Sequence, residues 1–152
     1  MVEEPKGCRE VKPRIRKPLR KGSLVYHGTS SEESFMALRG PAWVSDEETV
    51  AKTFVTWSGG DGPPRIIVFR VSEAPRLAVA NTDREWRDFV RWVEEKTGVD
   101  AEPGPIDFAE QICNAGLGID GWHIADNYGP GSDTLLCDPN RFLDFVEVIE
   151  VE

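Results

Sequence analysis

The residues able to do chemistry fall in three short segments. The first is Leu24-Val25-Tyr26-His27-Gly28-Thr29-Ser30, an apolar run ending in a histidine, a glycine and two hydroxyls. Gly28 carries no Cβ, so the backbone beside His27 can approach a ligand closely. The second is Ala42-Trp43-Val44-Ser45 with Phe54 beyond it, which offers two aromatic walls and a hydroxyl. The third is Asp133, a carboxylate placed just after Asn127-Tyr128-Gly129-Pro130-Gly131. Each has an ordinary alternative. A strand can end at His27, large aromatics are often core residues, and an acid at a strand start is a common turn residue.

The elements that must position these groups follow from pattern. Leu24 to Tyr26 reads as a strand. Ser30 with Glu33, and Ser45 with Glu48, each form the S-x-x-E spacing that caps a helix start. The first of these helices carries Phe35, Met36 and Leu38; the second buries Val50, Ala51, Phe54 and Val55. Ser58 to Pro64 is a turn-rich loop. Arg65 to Val71 (RIIVFRV) is the strongest strand, dense in β-branched and aromatic residues, and Arg76 to Ala80 is a shorter one. Thr82 and Glu85 cap a helix bearing Trp86, Phe89, Val90 and Val93, which Gly98 closes.

After a Pro/Gly-rich link, a helix with Phe108, Ala109, Ile112 and Cys113 ends at Gly116. Strands then return: Gly121 to Ala125, Asp133 to Cys137, an Asp138-Pro139-Asn140 corner, and Phe142 to Val151. Helices lie early and centrally and hairpin-linked strands late, an α+β pattern. Residues 1–22 form an extended arm, since Pro5, Pro13 and Pro18 oppose helix. Residues 23–152 make a single domain.

Four segments in order carry a family resemblance: Tyr26-His27-Gly28-Thr29, then Trp43-Val44-Ser45 with Ala51 and Phe54, then Gly118-Ile119-Asp120-Gly121, then Asp133 to Asp138-Pro139. Together the chain resembles the ADP-ribosyltransferase fold, in the branch shared by diphtheria-like toxins and poly-ADP-ribose polymerases, of small bacterial or phage type. The resemblance implies split antiparallel β-sheets flanked by short helices. It also implies cleavage of the nicotinamide–ribose bond of NAD, as a transferase or a glycohydrolase, with NAD as substrate and no metal.

In that reading His27 holds the adenine-side ribose with Thr29 nearby, and Gly28 presents its backbone to the nicotinamide carboxamide. Trp43 and Phe54 wall the ring, Ser45 adds a polar contact, and Asp133 takes the place of the catalytic carboxylate. The family's usual His-Tyr-Glu triad becomes His27, Trp43 and Asp133. Gly131 stands where an E-x-E pattern would need its first acid, so the acceptor, protein, nucleic acid or water, stays open. The alternative is a non-catalytic module of the same fold that docks a protein or nucleic-acid partner.

Composition bounds the rest. The chain has 152 residues, 39% hydrophobic and 30% charged, with a net charge of −9. Residues 1–21 nevertheless hold eight of the 18 basic residues and only three of the 27 acidic ones. A basic arm on an acidic body can contact nucleic acid or fold back on its own surface. No apolar run approaches a membrane span, and a cytoplasmic location is expected. There is no G-x-S-x-G elbow and no G-x-x-x-x-G-K-[ST] phosphate loop.

Cys8, Cys113 and Cys137, with only His27 and His123 beside them, give neither a zinc pattern nor a disulfide framework. Cys113 and Cys137 are expected as small buried residues and Cys8 as an exposed one. His123, alternating with Trp122 and Ile124 in a strand, is expected to face solvent or be hydrogen-bonded.

Overall fold

The computed structural model describes residues 13–29, 41–57, 63–98, 105–125 and 132–151; for 53, 54, 56, 57 and 105–108 it describes the backbone alone. The expected helix after Ser30, the loop core 58–62, the link before Pro105 and the turn 127–131 lie outside the described residues. So does Cys8. The elements run β1 (Arg14–Arg16), β2 (Leu24–Thr29), β3 (Ala42–Ser45), α1 (Glu48–Trp57), β4 (Arg65–Val71), β5 (Leu77–Val79), α2 (Asp83–Thr97), α3 (Pro105–Asn114), β6 (Gly121–Ala125), β7 (Ser132–Leu136), α4 (Pro139–Phe142) and β8 (Leu143–Glu150). This is an α+β domain.

The strands form one eight-stranded sheet in the order β1-β5-β6-β7-β3-β2-β4-β8. Every neighbouring pair is antiparallel except β5 and β6. The expected split survives as a weak point within it. β2 pairs with β4 along its whole length and β3 pairs with β7 along its whole length, yet β2 and β3 share the single rung Tyr26↔Ser45. Two half-sheets thus meet at one pair.

Pleating sorts the side chains onto two faces, because alternate residues of a strand point oppositely. On one face Ala78, Trp122 and Leu135 pack under α2 and α3 with Phe89, Val93, Ala109 and Ile112. The same face of the other half packs Tyr26 and Ile66 under Ala51 and Val55 of α1. On the opposite face Val25, Val44, Ile67, Phe69, Leu77 and Leu136 form one core that crosses the weak point, topped by Phe142 and Leu19. That shared core, more than the single rung, joins the halves.

Three expectations need correction. The arm is not separate from the body over its described part. Arg14–Arg16 pairs with Leu77–Val79 as an edge strand, and Leu19 is only 5% exposed in the core. Residues 17–22 therefore strap across the sheet, from its edge to the start of β2. The prolines are compatible with this because an edge strand tolerates a missing N–H.

Ser45 does not open a capping box. It is the last residue of β3; its Oγ accepts from Glu47 N–H at 3.1 Å and donates to the Ser132 carbonyl at 2.9 Å. The expected Asp138-Pro139-Asn140 corner is present, taking the form of a helical turn that starts at Pro139.

The third correction concerns cysteine. Cys113 and Cys137 are bonded to each other, with Cα atoms 5.4 Å apart. They are half-buried rather than interior. The bond ties the last turn of α3 to the residue after β7. By contrast α2 forms as its sequence requires: Thr82 accepts from Glu85 N–H at 3.1 Å, and Gly98 closes the helix at φ +73°.

Candidate functional site

β2 and β3 are the two lips of the weak point; His27, Gly28, Thr29, Trp43 and Ser45 stand on them, Asp133 on the neighbouring β7 and Phe54 on α1. The rung Tyr26↔Ser45 continues across β3 to Asp133 on β7 and then to Ile124 on β6. Side chains in such a row share a face and lie about 5 Å apart between neighbouring strands. Ser45 and Asp133 are therefore neighbours, and Trp43, two residues before Ser45, stands on the same face. Gly28, two residues after Tyr26, shares it too. The structure brings these four positions together.

His27 and Thr29 alternate to the other face. His27 still reaches the opposite lip, with Nδ1 2.7 Å from the Trp43 carbonyl. A carbonyl can only accept, so Nδ1 carries the proton and donates. Burial holds the His27 pKa below its usual value, and the Trp43 hydrogen bond offsets this in part. The ring is neutral at pH 7, and Nε2 is left as an acceptor. A ligand hydroxyl entering the gap could donate to it.

Gly28 has a structural reason to be glycine. A methyl group on its Cα would overlap the backbone carbonyl of Ala51 in α1. The helix sits directly on the strand there, so the space that a ligand was expected to use beside this Cα is filled by α1. Trp43 meets Trp122 edge-on with ring centroids 6.1 Å apart, as one wall of the aromatic layer under α2. Asp133 is 1% exposed, between Ser45 and Ile124 in the sheet, and does not face solvent. Phe54 lies on α1 in the sequence position expected, and its side chain is outside the described residues.

The Gly118-Ile119-Asp120-Gly121 segment proves to be a latch. The Asp120 carboxylate accepts from Arg76 N–H at 2.8 Å, and its own N–H donates to the Arg76 carbonyl at 2.7 Å. Its carbonyl takes the Cys137 N–H at 2.9 Å. One residue thereby fastens the starts of β5 and β6 to the end of β7.

A cavity of about 340 Å³ lies at the other end of the lips, under the strap, lined by Leu19, Leu24, Val25, Asp46, His123 and Ser132 among others. His123 is 8% exposed, and its Nδ1 lies 2.8 Å from Thr134 Oγ1, the hydrogen-bonded alternative of the two expected. Burial lowers its pKa and the nearby Asp46 carboxylate partly raises it. Asp46 Oδ1 accepts from Ser132 N–H at 2.6 Å. Sequence reading passed over Asp46 and Ser132. An acid directly after a strand and a serine directly before the Asp133 carboxylate were the available signals. Among the described residues no group of three His, Cys, Asp or Glu could hold a metal ion, and no helix is long and apolar enough to cross a membrane.

Comparison with solved structures adds one likeness. The chain is similar to a chain in the crystal structure of the M. tuberculosis MbcT–MbcA toxin–antitoxin complex. The TM-score is 0.53 at 8% identity, over 88% of this chain and 86% of that one. The likeness is one of fold. No protein-family model and no curated protein matches the chain in sequence.

Proposed function

We propose that the protein cleaves the nicotinamide–ribose bond of NAD, as an ADP-ribosyltransferase or an NAD glycohydrolase, in a toxin-like role. The observation that carries this reading is the pair of lips at the single Tyr26↔Ser45 rung. Trp43, Ser45 and Asp133 share one face there, and a neutral His27, on the other face, bridges the gap to the Trp43 carbonyl. The order of motifs along the chain and the fold likeness to a toxin–antitoxin complex support it.

In the reaction nicotinamide leaves and positive charge develops on the ribose. His27 Nε2 would accept a ribose hydroxyl proton in a hydrogen bond. Asp133, through its negative charge, would stabilise the cation as it forms, an effect on rate more than on affinity. Ser45 would orient the amide end of the ring.

The burial of Asp133 and the packing of Trp43 on Trp122 favour a second reading, a non-catalytic module of the same fold with a protein partner. The basic arm is a weaker candidate for nucleic-acid contact over its described part. Arg14 Nε donates to the Glu85 carboxylate at 2.8 Å, so this charge is turned back on the body.

Incubation with NAD, followed for free nicotinamide, separates the readings. Release without an added acceptor supports the glycohydrolase, and release only with a protein or nucleic-acid acceptor supports the transferase. His27→Ala should weaken NAD binding by about 1–3 kcal/mol. No nicotinamide release under any condition, with no NAD binding by calorimetry, would leave the binding module as the function.

A further inference from the structure

The Cys113–Cys137 bond does not lie in the interior. It forms part of the wall of a surface cavity of about 370 Å³, lined also by Pro41, Glu110, Asn114 and Asp138. Two features follow. Both cysteines are half-buried and line a cavity large enough for a small thiol, which gives a reductant a way to the bond without global unfolding. The charged side chains among the described lining residues, Glu110 and Asp138, are both acidic and exposed.

We propose that this cavity is a thiol–disulfide exchange site that takes small thiols and selects them by charge, admitting neutral or cationic thiols and repelling anionic ones. The attacking species is a thiolate, so it already carries one negative charge. Any further negative charge on the reductant adds repulsion from the two carboxylates. A positive group offsets it.

The thiolate attacks one sulfur of the pair and the S–S bond breaks. A mixed disulfide forms on that cysteine, and the other leaves as a thiolate and takes up the proton released by the reductant. A second thiol attacks the mixed disulfide, yielding the oxidised reductant and the second cysteine thiol. Two electrons pass from two reductant thiols to the protein. Disulfides persist in oxidising compartments and are reduced in the cytosol. In an oxidising compartment the bond persists, and the cavity is where a small thiol begins its reduction.

The test uses the full chain with Cys8→Ser, so that only the bonded pair can react. Reduction is followed by alkylation and intact mass, comparing cysteamine with 2-mercaptoethanesulfonate at matched thiolate concentration. Cysteamine should react about tenfold faster at low salt. The ratio should fall toward one at 1 M salt, where the screening length is about 3 Å. Glu110→Gln with Asp138→Asn should abolish most of the preference while leaving the protein folded by circular dichroism.

Equal rates for the two thiols at low salt would overturn charge selection. Rates that rise with sub-denaturing urea in parallel for both would show that reduction needs unfolding and overturn the site. Two alkylated cysteines in the untreated protein would overturn the bond itself.

Discussion

The two half-sheets are stabilised in different ways. The half made of β2, β4 and β8 has long ladders: six residues of β4 pair with β2 and seven with β8, the latter with one shift between Val68 and Phe69. A single helix, α1, sits on it, backbone against backbone at Gly28. The half made of β1, β5, β6, β7 and β3 has strands of three to five residues. It is held by discrete ties: a disulfide, the Asp120 latch, the Thr82 cap and the Arg14–Glu85 ion pair. Long ladders need little beyond β propensity, whereas short strands leave too few rungs and rely on named contacts. The candidate site lies on the border, with His27 and Gly28 from the first half and Trp43, Ser45 and Asp133 from the second.

The contrast can be broken first at Gly28. Gly28→Ala should displace α1 from the ladder half and destabilise the protein by about 3 kcal/mol, the upper end of overpacking costs. Chemical denaturation measures it. An unchanged midpoint would mean that α1 can move without cost.

At the border, Asp133→Asn keeps shape and removes charge. If the acid acts on the ribosyl cation, turnover should fall roughly 100-fold, about 2.7 kcal/mol of barrier, with NAD affinity and melting temperature nearly constant. A fall in melting temperature with no kinetic effect would assign Asp133 to packing. Leu19→Ala tests the strap that roofs the stapled half. Removing a buried leucine from the shared core should cost about 2.5 kcal/mol by urea titration. Thr82→Ala removes one tie of that half, and a loss of about 1 kcal/mol is expected. A loss as large as that of Leu19→Ala would mean that α2 depends on its cap more than on its packed face.

The smallest effect is one of pH. His27 and His123 both have pKa values lowered by burial, so the folded state favours the neutral rings. Their contribution is complete above the unfolded value of about 6.5 and is lost as pH falls through it toward the lowered folded values. Stability should decline as the pH falls below about 6.5. His27→Gln with His123→Gln should flatten that slope in melts taken at each pH.

The readable parts of the fold were those that local chemistry decides. RIIVFRV is a strand at any address, GWHIA is β6 to the residue, and Thr82 with Glu85 caps α2 as spaced. What could not be read depends on chain segments meeting at a distance. The Cys113–Cys137 bond requires that the end of α3 reach the end of β7, and no spacing rule announces that. β1 needs β5 as a partner and hides behind prolines. Ser45 has the capping spacing, but its hydroxyl is claimed by the Ser132 carbonyl across the sheet. In the site, the His-Gly pair was legible as a close approach. What approaches Gly28 proved to be a helix.

The strand order has a consequence for how the chain comes together. Apart from the β6–β7 hairpin and the single β2–β3 rung, each described antiparallel partner lies far along the chain. β1 waits for β5, β2 for β4, β3 for β7, and β4 for β8. Such non-local pairing makes for slow folding, because loop closure precedes the contacts that reward it. The ladder half, with its histidine lip, stays one strand short until β8 pairs with β4. An early strand, β2, is therefore completed as a ladder only through its neighbour's pairing with the distant β8.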